Sequence, residues 1–215
     1  MKEQSVVSRA TIDRLPLYFR TLRQIQKENV IIISSEELGR RIGVTPEQIR
    51  KDLSSFGEFG KKGVGYYVSD LAKHIGEILG LHREWNIALV GFGHLGRALV
   101  NYKHFSNLGF NITALFDADP AKIGEIVRNL KVQSLDELEK EITDKNIHIA
   151  VLAVPENEAQ DVANRVIAAG IRGIWNFAPV ILNIPEGIRL RNEDLSVGLT
   201  GLSYYLSRDI PNDLC

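Results

Sequence analysis

The sequence predicts an α/β protein in two parts, a small helical unit ending in a β-hairpin and then a doubly wound parallel sheet. Three observations predict it. Two capping patterns separated by a glycine mark two short helices in the first third of the chain. A strand runs directly into Gly91-Phe92-Gly93-His94-Leu95-Gly96 and on into a helix. Beyond that loop, apolar runs alternate with helix-periodic segments. With 215 residues, 44% hydrophobic and 25% charged, the composition is that of an ordinary globular chain, not of a disordered or fibrous one. The single cysteine, Cys215, leaves no internal disulfide and no cysteine-based zinc cluster. No apolar run approaches the roughly 18–20 residues of a membrane span, so no membrane partner is expected. Met1 to Arg14 is polar and charged, unlike a secretory leader, and the expected location is cytoplasmic.

The first helix is expected from about residue 11 to 27, with Pro16 near its start and Leu15, Tyr18, Leu22 and Ile25 at helical spacing. Ser34 with Glu37 opens a second helix that Gly43 ends. Thr45 with Gln48, and Pro46 at the first helical position, opens a third. This is a helix-turn-helix pattern. On the third helix Ile49, Leu53 and Phe56 form an apolar stripe, and Glu47, Arg50, Lys51 and Ser54 stand opposite. Arg50 is the candidate for a bidentate guanine contact, with Lys51 and Ser54 for phosphates or base edges. A solvated face would carry the same residues. The segment from Phe56 to Val68 then reads as a hairpin with Lys61 and Lys62 displayed between Gly60 and Gly63, a wing placed to reach phosphates or a minor groove. The order of elements favours DNA binding, and the charge agrees. The formal net charge is −1, but residues 1–65 hold 12 Lys and Arg against 8 Asp and Glu, whereas residues 85–215 hold 12 against 16.

In the second part, Ile87 to Val90 leads into the glycine loop, and the strand Ile112 to Phe116 ends at Asp117, 21 residues past Gly96. That is where a dinucleotide-binding unit places a carboxylate for the adenosine ribose. Gly91 suits the tight turn, Gly93 the approach of a pyrophosphate, and Gly96 close helix–strand packing, while Phe92, His94 and Leu95 complete the loop. A carboxylate at Asp117 favours NAD(H) over NADP(H). Asp119 and Lys122 follow, and Lys122 either softens that preference or is simply solvated. Further strands, residues 147–152 and 171–175, end at Ala153-Val154-Pro155 and Asn176-Phe177. These tails are either cofactor walls or ordinary turns. The last helix, about residues 194–208, carries Leu195, Leu199, Leu202 and Leu206 on one side, either for the core or for a partner subunit. None of the five histidines sits in a general acid or base pattern, so no enzyme activity and no metal site are expected. The domains are thus residues 1–84, with the helix-turn-helix at about 17–56 and the wing at about 57–68, and residues 85–215, a Rossmann-like unit.

Arg14 to Tyr18, Gln48 to Leu53, Phe56 to Gly63, the glycine loop, Phe116-Asp117, Trp175 to Pro179 and Asp194-Leu195 together resemble the Rex family of redox-sensing transcriptional repressors, over nearly the whole chain. The resemblance implies a winged helix-turn-helix domain plus a Rossmann-like doubly wound parallel sheet, with a C-terminal helix exchanged between subunits. It further implies a homodimer on an inverted-repeat operator, released by NADH, with NAD⁺ competing for the same pocket and neither cofactor turned over. It also implies that Arg14, Tyr102 and Asp194 couple the cofactor site to the DNA-binding domains. Two other readings stay open: a small NAD-dependent oxidoreductase, and a winged-helix regulator whose sheet domain binds another nucleotide such as a coenzyme A thioester.

Overall fold

The computed structural model describes residues 7–61 and 63–209. The chain divides at Arg83/Glu84 into two compact units. The first contains α1 (Arg9–Lys27), β1 (Ile32–Ile33), α2 (Ser35–Ile42), α3 (Pro46–Ser54), β2 (Gly60–Lys61), β3 (Gly65–Tyr67) and α4 (Val68–Ile78). The second contains β4 (Trp85–Val90), α5 (His94–Asn101), β5 (Phe110–Asp117), β6 (Ile126–Val127), β7 (Leu130–Ser134), α6 (Leu138–Asp144), β8 (Ile149–Leu152), α7 (Glu156–Ala168), β9 (Gly173–Asn176), β10 (Arg189–Asn192) and α8 (Ser196–Asp209).

In the first unit, α1 begins at Arg9, behind Ser8, whose hydroxyl accepts the Thr11 amide, so Pro16 is interior rather than in the first turn. The helix passes through the proline because Leu15, Tyr18, Leu22 and Ile25, each at most 1% exposed, lie on one buried stripe before and after it. Both capping residues act as the spacing predicts: Ser34 accepts from the Glu37 amide and Thr45 from the Gln48 amide. Neither capping box closes. The Glu37 carboxylate binds Arg40 and Arg41, and the Gln48 amide reaches Asp52. Gly43 ends α2 in the left-handed conformation at φ 71°. The wing is narrower than the pattern suggests, because β3 stops at Tyr67 and Val68 already opens α4. It is a three-stranded antiparallel sheet in the order β1-β3-β2, pairing Ile33 with Tyr66 and Gly60 with Tyr66.

The second unit is a seven-stranded sheet in the order β10-β9-β8-β4-β5-β7-β6, parallel except for the edge strand β6. Alternation along β4 sends Ala88 and Val90 into one core with Phe116 and α7, and Ile87 and Leu89 into a second core with Phe92 and Val100. The chain runs outward from β4 to β5 and β7, then returns to build β8, β9 and β10 on the other side. The reversal of strand order therefore falls between β4 and β8, and open α/β sheets hold their ligands at the carboxyl ends of the strands at such a point.

Candidate functional site

On the first unit, α3 presents Arg50, Lys51 and Ser54 on its exposed side. Arg50 is already bracketed: its guanidinium donates to the Ser35 hydroxyl at 2.7 Å and to Glu47 at 2.8 Å, and it pairs with Glu36 at 3.5 Å. Ser54 spends its proton on the Lys51 carbonyl at 2.9 Å, leaving lone pairs rather than a donor for DNA. Between α3 and the wing lies a groove of about 550 Å³, lined by Ser35, Glu36, Arg50, Ser54, Lys61 and Tyr66 among others. Lys61 is exposed on β2; Lys62 lies outside the described residues. A Cβ at Gly65 (φ 108°) would stand 2.5 Å from the Ile33 carbonyl oxygen, so only glycine lets the wing close on β1.

Sequence reasoning missed the polar centre of this unit. Asp52, on α3, is 1% exposed and accepts five hydrogen bonds. Arg14 donates through Nε and Nη2, both at 2.7 Å, Tyr18 at 2.6 Å, Gln48 at 2.8 Å and Thr11 at 3.0 Å. Burial pushes the Asp52 carboxyl up, but hydrogen bonds from Arg14, Tyr18, Gln48 and Thr11 outweigh it and hold the group well below the usual carboxylate range. Asp52 in turn raises Arg14, and burial together with Asp52 raises the Tyr18 phenol. The available signal was a lone acid beside the Ile49–Leu53 stripe. Its three partners on α1 lie 34 to 41 residues away, beyond the reach of local pattern.

On the second unit, the glycine loop sits at the β4/β8 reversal. Gly91, at φ 97°, has the Ala153 carbonyl oxygen 2.4 Å from where a Cβ would be, and a Cβ at Gly96 would meet the Gly91 oxygen at 2.1 Å. At Gly93 it would meet nothing within 4 Å. Gly93 caps α5 without any side-chain hydrogen bond, so the first amides of the helix keep their capacity for an anion. The open turn, the uncapped helix and the nearby carboxylate fit a dinucleotide. Phe92 is fully buried; its amide donates to Asp117 Oδ2 at 2.6 Å, and the Arg97 guanidinium lies 4.3 Å over its ring. His94 is exposed and Leu95 half-buried.

Asp117 is 6% exposed. Besides the Phe92 amide it accepts the Asp119 amide at 2.8 Å and the Lys122 ammonium at 3.1 Å. Burial raises its carboxyl, and the two amides and Lys122 more than offset this, leaving it below its ordinary value. Lys122 is thus not simply solvated: it bridges Asp117 and, at 3.6 Å, Asp119. Ala153 and Val154 are half-buried beside Gly91, with Pro155 exposed after them. Asn176 is fully buried and spends its amide on Ala178, Val180 and Asn192. That network fixes the turn that leaves Phe177 against Trp175, with ring centroids 4.5 Å apart.

The three residues that the resemblance groups as a coupling set have separate partners. Arg14 is bound to Asp52, Tyr102 meets Phe105 edge-to-face with ring centroids 4.8 Å apart, and Asp194 accepts the Ser196 amide and hydroxyl at the start of α8. On α8 itself, Leu199, Leu202 and Leu206 are 70%, 53% and 50% exposed, and Leu195 just before it 68%. Among the described residues, the leucine side therefore joins none of the buried cores. Among the described residues, no three His, Cys, Asp or Glu side chains are grouped to hold a metal ion, and no helix is long and apolar enough to cross a membrane.

Two family models match the chain: "CoA binding domain" over residues 82–180 and "Putative DNA-binding protein N-terminus" over residues 6–54. A redox-sensing transcriptional repressor Rex from Roseiflexus sp. (strain RS-1) is 49% identical over 199 residues, covering 93% of this chain and 90% of that protein. Two crystal structures of the repressor RSP superimpose over 95% of this chain. One, with β-NADH, has a TM-score of 0.89 at 40% identity and covers 96% of RSP; the other, with β-NAD⁺ and operator DNA, has 0.90 at 41% and covers 94%. The relatives are named as repressors, not as enzymes. With a winged helical unit and a parallel-sheet unit both in place, the chain belongs to the Rex family of redox-sensing transcriptional repressors.

Proposed function

We propose that this chain binds operator DNA through α3 and the wing, and that NADH, held by the sheet unit, releases it while NAD⁺ competes for the same crevice. The observation that carries this reading is Asp117, held at the tip of β5 beside the open Gly93 turn, on a chain whose other unit presents Arg50 and Lys51 beside a basic wing. The cofactor supplies a redox-dependent charge and ring planarity, not a reaction. Asp117 receives the adenosine ribose, the α5 amides receive the pyrophosphate, and Ala153, Val154, Pro155 and Phe177 wall the nicotinamide end. His94 and Leu95 border the phosphates, Asn176 holds the wall's turn, and Asp119 and Lys122 orient Asp117. Arg50 reads a base edge, Ser54 offers an acceptor to a base-edge amino group, and Lys51, Lys61 and Lys62 meet the backbone.

The protein works as a cytoplasmic homodimer on an inverted repeat, with the exposed leucines of α8 buried by exchange with the partner subunit. Tyr102 and Asp194 carry the cofactor state across that dimer, and Arg14 joins them through its hold on Asp52. Titrating the protein on operator DNA with NADH, NAD⁺ and coenzyme A tests the reading. NADH is expected to release the DNA, NAD⁺ to oppose it and coenzyme A to do neither. Release by coenzyme A alone would instead favour the ligand named in the family model over residues 82–180.

A further inference from the structure

We infer that Asp52 is a positioning residue for operator binding: its buried carboxylate sets the rotation of α3 about its own axis, and so the direction in which Arg50 is presented. This rests on the reading of α3 as the DNA-contacting helix. Thr11, Arg14 and Tyr18 are three and four residues apart, so all three donors come from one face of α1. Gln48, one turn before Asp52 on α3, closes the ring. Arg50 lies two residues from Asp52, about 200° round the helix, so a rotation at one is the same rotation at the other.

The apolar contacts of Ile49 and Leu53 cannot set that angle alone, because apolar packing is non-directional and α3 is only nine residues long. A bidentate guanidinium, a phenol, a hydroxyl and an amide converging on one carboxylate can. Nor is a buried ion pair the economical way to stabilise a core, since apolar residues of similar volume serve as well or better. What the ion pair adds here is direction. Asp52 itself is too buried to touch DNA, so its influence must pass through the helix it orients.

The test uses the full-length protein, a duplex selected in vitro for binding to the wild type, and an unrelated duplex of equal length. Asp52→Asn keeps the shape and removes the charge. It is expected to weaken binding to the selected duplex about tenfold or more, but to the unrelated duplex by less than about threefold, because phosphate contacts tolerate a misdirected Arg50. NADH should still bind, as read by its fluorescence, which shows that the sheet unit is folded. Tyr18→Phe removes one of the five bonds and keeps the ion pair, so it should shift the same ratio in the same direction by less; it carries the test if Asp52→Asn does not fold. An unchanged ratio, or equal losses on both duplexes, overturns the inference, since a merely structural role lowers both together. Lys51→Ala and Arg50→Ala separate the two layers. If both leave selected-duplex binding intact, α3 is not the reading helix and the inference falls with that reading. If both weaken it while Asp52→Asn and Tyr18→Phe do not, only the role of Asp52 falls.

Discussion

Each unit buries one aspartate among the described residues, and the two carboxylates are held in opposite ways. Asp52 is enclosed by side chains, three of them from α1, with a bidentate guanidinium at its centre. Asp117 is held by two main-chain amides and by one lysine on a flexible stem. The first arrangement fixes one helix against another and leaves nothing for a ligand. The second fixes the glycine loop to the tip of β5 and keeps one partner, Lys122, on a flexible side chain that can turn away. The enclosed carboxylate has no capacity left for a ligand, whereas the other keeps some.

The largest effect that would sharpen this contrast is on stability. Asp52→Ala should cost about 3 kcal/mol near neutral pH, because it strands a partly buried Arg14 along with Tyr18 and Thr11. Both carboxyls sit below their ordinary value when folded, so each contributes stability that is present above the unfolded carboxylate range, near pH 4, and is lost as pH falls through the folded value. The difference between wild type and Asp52→Ala in denaturant unfolding should accordingly shrink below about pH 4. A constant difference down to the acid transition would break the assignment.

Next comes Asp117→Ala, expected to weaken NADH by about 1.5–3 kcal/mol, the worth of hydrogen bonds to a charged group, with DNA affinity of the cofactor-free protein unchanged. A parallel loss of DNA affinity would show that Asp117, like Asp52, is mainly a structural brace. Lys122→Met should move NADH affinity by only about 0.5 kcal/mol while weakening NADPH further, since it removes a cation beside the carboxylate proposed to receive the ribose. Equal losses for both cofactors would place Lys122 on the shared part of the dinucleotide. Smallest of all, Glu47→Gln should raise affinity for unrelated DNA by about 0.5 kcal/mol by loosening the bracket around Arg50 and removing a negative charge from the proposed DNA face. A fall in that affinity would mean that Glu47 aids DNA contact.

The local parts of both sites were legible before any tertiary structure. Ser34 and Thr45 cap the helices that their spacing announces, Gly43 ends α2, and Gly91, Gly93 and Gly96 take the places that the strand-loop-helix pattern assigns them. Each depends on contacts within a few residues or on a backbone conformation that one residue type favours. The N-terminal limit of α1 and the start of α4 were less legible, because burial of Leu15 and Tyr18 outweighs the proline and Val68 suits a strand as well as a helix. Strands β6, β7 and β10 gave no clear signal; they are short, and only pairing with neighbours defines them.

The sequence by itself determined the two-unit plan, the polarity of the exposed side of α3, and the acid at the end of β5, because periodicity, capping and loop spacing are local. Tertiary structure alone decided that Asp52 faces inward to Arg14, that Arg50 is bracketed by acids, that Asn176 is a brace, and that, among the described residues, the leucines of α8 join none of the buried cores. The reason is distance along the chain. A buried carboxylate must find its donors wherever the fold brings them, and here the nearest on α1 is 34 residues away.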